Sequence, residues 1–146
     1  MSDSVPSAKS VTDRGMHDRN LYRRIVKDRG LCGLANNTKW DELTSAMRSR
    51  MGKAWTPKNR CKCLDSSPSY WDGEWFYHLP FPLMSLEWLD LSFLEKKKQS
   101  SSTSITVDHS GWIEELLNGI GLDYQKGKSV IRIFGYSPRN FDLFEA

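Results

Sequence analysis

The alternation of apolar and polar positions divides this chain into short stretches with different periods. Leu21, Tyr22, Ile25 and Val26 share one helical face, so a first helix is expected over about Asp18 to Arg29. Asp18 reads as its N-cap and Gly30 as the residue that ends it. Trp40, Leu43, Met47 and Met51 recur at helical spacing and predict a second helix from about Thr38 to Met51. Thr38 and Asp41 outline a capping box at its start, with Asp in place of the usual Glu. Trp112, Ile113, Leu116 and Leu117 predict a third helix over about Gly111 to Asn118, capped by Asp108 or Ser110.

Elsewhere the pattern favours strands. Arg60–Leu64, Glu74–Leu79, Leu86–Leu94, Ser104–Val107, Leu122–Gln125 and Ser129–Phe134 all read this way. In the second of these, Trp75, Tyr77 and Leu79 alternate with Glu74, Phe76 and His78; in the third, Leu89, Leu91 and Phe93 alternate with Trp88, Asp90 and Ser92. Asp72-Gly73 is a turn signal, so the first two strands are expected to pair, and Lys126-Gly127-Lys128 predicts a tight turn before the last one. Pro80 and Pro82 place the aromatic strand at a sheet edge or bend. Glu95 to Thr103, with its lysine triplet, reads as an exposed connection.

The resulting order is α-α-β-β-β-β-α-β-β, and connections this short do not allow parallel crossovers. An α+β fold is expected, with a mainly antiparallel sheet of about five to six strands and three helices on one face. Residues 1–17 are expected to form a disordered lead and residues 18–146 a single domain, with Phe141, Leu143 and Phe144 docking the tail onto the body.

Composition narrows the function classes. The chain has 146 residues, 38% hydrophobic and 27% charged, enough for one core without disulfides or metals. No run approaches the roughly 18 consecutive apolar residues of a membrane span, so no membrane partner is expected. Three cysteines form no closed disulfide set, and the polar N-terminus lacks a secretory core, so a reducing, cytoplasmic setting is expected. Charge is uneven: residues 1–60 carry 13 basic and 6 acidic side chains, and residues 61–146 carry 8 and 12.

The candidate chemistry is sparse. Cys61 and Cys63 flank Lys62 and point to one face of a strand, a placement that metal or disulfide chemistry uses. Cys32, His78 and His109 are too scattered to complete a zinc site, so free thiols, no metal and no cofactor are expected. Asp72, Glu74, Glu87 and Asp90 lie among aromatics, where a carboxyl with a raised pKa can act as a general acid beside His78. No nucleophile elbow, phosphate loop or metalloprotease motif accompanies them, and a non-catalytic protein is expected. The densest aromatic run supplies the expected partner-binding surface: Trp71, Glu74, Phe76, His78 and Phe81. The alternative is association with nucleic acid through the basic patch Arg19, Arg23, Arg24 and Lys27, although no known nucleic-acid-binding signature is present.

Thr38-Lys39-Trp40-Asp41-Glu42-Leu43, the Trp71–Pro80 run, Leu86-Glu87-Trp88-Leu89-Asp90 and the Trp112–Tyr136 stretch together resemble a family of small uncharacterised bacterial α+β proteins. The resemblance covers about residues 37–136 and leaves residues 1–36 as an extension. It is similar in style to toxin-immunity proteins, which implies a protein partner neutralised by direct binding and carries over no functional residue.

Overall fold

The structure, a computed structural model, describes residues 8–50, 55–73, 80 and 82–146, with side chains from Arg19 onward. In chain order the elements are α1 (Ala8–Arg29), β1 (Cys32–Gly33), α2 (Asn37–Arg50), β2 (Asn59–Cys63), β3 (Leu86–Ser92), β4 (Leu94–Lys98), β5 (Ser104–Asp108), α3 (Ser110–Ile120), β6 (Asp123–Lys126), β7 (Val130–Phe134) and β8 (Tyr136–Ser137). The fold is α+β with every strand pairing antiparallel, and its eight described strands exceed the number expected. They form one four-stranded sheet, β2-β3-β7-β6, and two separate pairs, β4-β5 and β1-β8.

One face of the four-stranded sheet carries the apolar core. Leu89 and Leu91 of β3 and Ile131 and Ile133 of β7 meet Trp40, Leu43 and Met47 of α2 and Ile113 and Leu117 of α3. Burying each such side chain contributes about 1.5–3 kcal/mol, which is why the helical stripes read from the sequence find their partners here. Lys39 ties the two helices together by donating from Nζ to the carbonyl of Gly121 at 2.9 Å, and Gly121 ends α3 with φ +85°.

Several local expectations change. α1 already begins at Ala8, so Asp18 lies inside it rather than capping it. The side-chain oxygen of Asn36, not Thr38, accepts the Lys39 amide at 2.8 Å, and α2 therefore starts one residue earlier. Asp108 is the capping partner of α3, its Oδ1 accepting the Ser110 amide at 2.8 Å. The expected lysine-bearing connection is instead β4, laddered to β5 from Leu94↔Asp108 to Lys98↔Ser104. Ladder hydrogen bonds belong to the backbone, and lysines suit an exposed edge.

β2 pairs with β3 along one edge. The expected strand Glu74–Leu79 lies outside the described residues. What the turn at Asp72 supplies is a single bridge, in which Asn59 and Asp72 exchange backbone hydrogen bonds of 2.8 Å each.

The second face of the sheet is buried as well. At the junction of β2 and β3 the register jumps: Lys62 lies opposite Trp88 but Cys63 opposite Leu86, so Glu87 is an extra residue in β3. Such a bulge turns two successive side chains toward one side. Glu87 and Trp88 accordingly both meet groups on the face away from the core, beside Asp90. The C-terminal tail covers this face. Phe141 packs against Phe134 at 5.3 Å and against Phe144 at 5.7 Å, and the Lys128 amide donates to the Glu145 carbonyl. Gly135 permits the close approach of β7 to this region: its amide donates to the Glu87 carbonyl, and a Cβ there would run into the Leu86 carbonyl.

Candidate functional site

The register of the sheet places Arg60, Asp90 and Arg132 side by side on three neighbouring strands. Asp90 is fully buried and accepts from Arg132 Nε at 2.7 Å and Nη2 at 2.9 Å, and from Arg60 Nε at 2.9 Å. Arg132, equally buried, spends its remaining Nη1 donors on the carbonyls of Asn140 and Asp142 at 2.9 and 2.7 Å. Its guanidinium lies 3.6 Å from the centre of the Trp88 ring. A buried arginine is tolerable only when its donors are met this fully. The tail is therefore part of the charge arrangement, because its carbonyls complete Arg132.

Glu87 forms a second node. Arg29 grips its two oxygens at 3.0 and 2.9 Å, Lys62 Nζ donates at 2.8 Å and the Asn140 side-chain amide at 3.0 Å. Burial by itself would raise this carboxyl, but the hydrogen bonds from Arg29, Lys62 and Asn140 outweigh it and hold it down to about 2. The raised carboxyl weighed for this position is thus not found at Glu87, which is held ionised at neutral pH. Asp90 is likewise committed to two arginines, while Glu74 and His78 lie outside the described residues.

At the rim of this layer the apolar surface opens. Tyr70 is 95% exposed, Trp71 40% and Leu143 61%. Arg60 links two of them: its guanidinium sits 4.6 Å from the Trp71 ring centre, and its Nη2 donates to the Leu143 carbonyl at 2.8 Å. Lys58, Arg60, Trp71, Ser92, Ser129 and Glu145 line a cleft of about 310 Å³ beside them. Leu143 holds a left-handed backbone, φ 64°, which a side-chain-bearing residue adopts at a cost of about 1–2 kcal/mol. The tail docks through Phe141 and Phe144, whereas the Leu143 side chain turns outward.

Of the partner-binding residues expected from the sequence, Trp71 stands on this rim, and Glu74, Phe76, His78 and Phe81 lie outside the described residues. Arg19, Arg23, Arg24 and Lys27 are exposed on α1, with Arg19, Arg23 and Lys27 one helical turn apart. They form a patch of their own, separate from Arg29, which is taken up by Glu87.

A second polar cluster escaped the sequence reading. The His109 ring stacks on Trp55 at 3.8 Å between centroids, with 7° between planes. Trp112 Nε1 donates to His109 Nδ1 at 2.9 Å, and Nε2 meets Glu95 Oε1 at 2.9 Å. An indole N–H is only a donor, so Nδ1 accepts and the ring proton sits on Nε2. With both nitrogens engaged, His109 offers no free base. Among the described residues no three His, Cys, Asp or Glu side chains converge as metal ligands.

Fold and face together define a small α+β protein whose sheet carries a charged layer sealed by its own tail. The chain belongs to a family of unknown function (DUF6678), which matches residues 22–140. No curated protein and no solved structure matches. The matched span takes in residues 22–36, set aside by the resemblance as an extension. The buried Tyr22 and the Arg29–Glu87 pair tie that stretch to the body. Among the described residues no helix is long and apolar enough to cross a membrane.

Proposed function

We propose that this is a non-catalytic protein-binding module that works by occlusion, with the Tyr70–Trp71–Leu143 rim seated on a protein partner. The observation that carries this reading is Leu143. It combines an exposed apolar side chain with a left-handed backbone, two features that each oppose stability. Strained, exposed positions of this kind concentrate at functional surfaces. Trp71 beside Arg60 adds the aromatic–arginine pairing typical of interface anchors. In this reading the protein resembles bacterial immunity proteins in mode of action, and acts in the cytoplasm. The basic excess of residues 1–60 favours an acidic partner by steering its approach.

The test compares Leu143→Gly and Tyr70→Ser with the unaltered chain in co-purification from the native cell, alongside thermal melts. Both variants are expected to melt within about 3 °C of the parent, since both side chains are mostly exposed. Both are expected to lose the partner. Retention of the same partner by both variants contradicts the proposal.

A second reading rests on the exposed stripe Arg19, Arg23 and Lys27, with Arg24 beside it. Such a stripe can follow a nucleic-acid backbone by displacing its counterions. Salt-dependent retention on a polyanion column, abolished by Arg23→Glu with Lys27→Glu, supports this reading; elution independent of salt removes it.

A further inference from the structure

Cys61 and Cys63 take no part in the charged layer or in the exposed rim. We infer that they form a redox-reactive pair, oxidised by a peroxide to an intramolecular disulfide, with Cys63 attacking first and Cys61 resolving. The geometry favours this pairing. Residues two apart on a strand point to the same side, but on a flat strand their Cα atoms stand about 6.6 Å apart, near the upper limit for a disulfide. Here the ladder is not flat. The register breaks between Lys62 and Cys63, opposite the Glu87 bulge, and bulges increase local twist. The two thiols lie near enough across Lys62 for each to shift the other's proton affinity.

The surroundings distinguish the two sulfurs. Ser85 Oγ donates to Cys63 Sγ at 3.6 Å; Ser66 lowers the same sulfur further, while Ser69 exerts a smaller lowering influence on Cys61. The Cys61 thiol hydrogen bond is the strongest influence on Cys63; with the two serines it overcomes the opposing effect of burial and lowers Cys63 to about 6. Cys61 is pushed up, first by its bond to Cys63 and then by burial against the apolar core. The Ser85 donor and the downward shift favour Cys63 as the attacking sulfur and leave Cys61 as the resolving one. Both are free and half-buried, within reach of a small oxidant, while Cys32 is exposed on a different strand pair and serves as an internal comparison.

The chemistry balances with hydrogen peroxide as oxidant. The Cys63 thiolate attacks one peroxide oxygen; an S–O bond forms, the O–O bond breaks, and hydroxide leaves and is protonated from solvent to water. Cys61 sulfur then attacks the resulting sulfenic sulfur of Cys63. The S–S bond forms, the S–O bond breaks, and the departing hydroxide takes the Cys61 proton as a second water. Two thiols are oxidised and one peroxide is reduced.

The experiment titrates the full chain with hydrogen peroxide and follows intact mass and peptide maps. The unaltered chain and Cys32→Ser are expected to lose the mass of two hydrogens. Trypsin cleaves after Lys62, so the disulfide is read directly as two peptides that remain joined until reduction. Cys61→Ser is expected to stop at a sulfenic acid on Cys63, captured by dimedone, and Cys63→Ser to leave Cys61 reacting no faster than Cys32. Iodoacetamide labelling of Cys63 in the unaltered chain is expected to rise through a midpoint near pH 6, while an ordinary thiol rises near about 8.5. Three thiols oxidising independently, a disulfide to Cys32, or a Cys63 midpoint near that of Cys32 would overturn the inference. The maps and the pH profile of the unaltered chain decide the matter even if a serine variant fails to fold.

Discussion

Glu87 is the residue whose chemistry departs furthest from its sequence reading. In the sequence it is an acidic residue before a tryptophan; in the fold it is a buried anion held by Arg29, Lys62 and Asn140. Because its folded pKa of about 2 lies below the usual carboxyl value of about 4.3, its contribution is present at neutral pH. That contribution is lost as pH falls from near 4.3 toward 2. Urea denaturation at several pH values is expected to show this decline in the unaltered chain and a flatter profile in Glu87→Gln, which should also be less stable at pH 7. Parallel profiles for the two would contradict the ionised, triply held carboxylate. Nothing in the sequence announces these partners, since Arg29 and Asn140 stand 58 and 53 residues away.

At the scale of elements, helices were the most legible. The stripes Trp40–Leu43–Met47 and Trp112–Ile113–Leu117 are local and sit where a 3.6-residue period puts them. Strand segments near Arg60, Leu86, Ser104 and Ser129 were also legible, and so was the local β6–β7 hairpin, but the pairings of β3 with β2 and β7 were not, because they are settled by contacts far apart in sequence. β3 illustrates the reason. Its alternation suggests one wet face, yet Trp88 and Asp90 are as buried as Leu89 and Leu91, because the tail supplies a second cover. The cross-strand pair Asp90–Arg132 should then be strongly coupled. Asp90→Ala leaves a buried guanidinium without its main counter-ion and is expected to cost about 3–5 kcal/mol. Combining it with Arg132→Met is expected to cost much less than the sum of the single changes, by a coupling of about 2 kcal/mol or more. Additive losses in chemical denaturation would show that the two side chains do not depend on each other.

For the molecule as a whole, the last residues are structural rather than ornamental. Asn140 and Asp142 carbonyls complete Arg132, Asn140 holds Glu87, and Phe141 packs on Phe134 with Phe144 against it. Removing residues 140–146 is expected to lower the melting temperature by about 10 °C or more, the size expected for exposing one buried charge cluster. A melt unchanged by the deletion would contradict the sealed layer. The sequence reading anticipated that the tail docks but not that its Leu143 faces solvent. The left-handed backbone at Leu143 and its carbonyl bond to Arg60, made across the fold, have no local sequence signal. The most direct measurement is site-specific photo-crosslinking in the native cell, with a benzophenone amino acid at position 70 and, for comparison, at position 101 on the β4–β5 turn. The account predicts a discrete protein adduct from position 70 that disappears when Leu143→Gly is added. Equal labelling from both positions, or an adduct indifferent to Leu143, would contradict it.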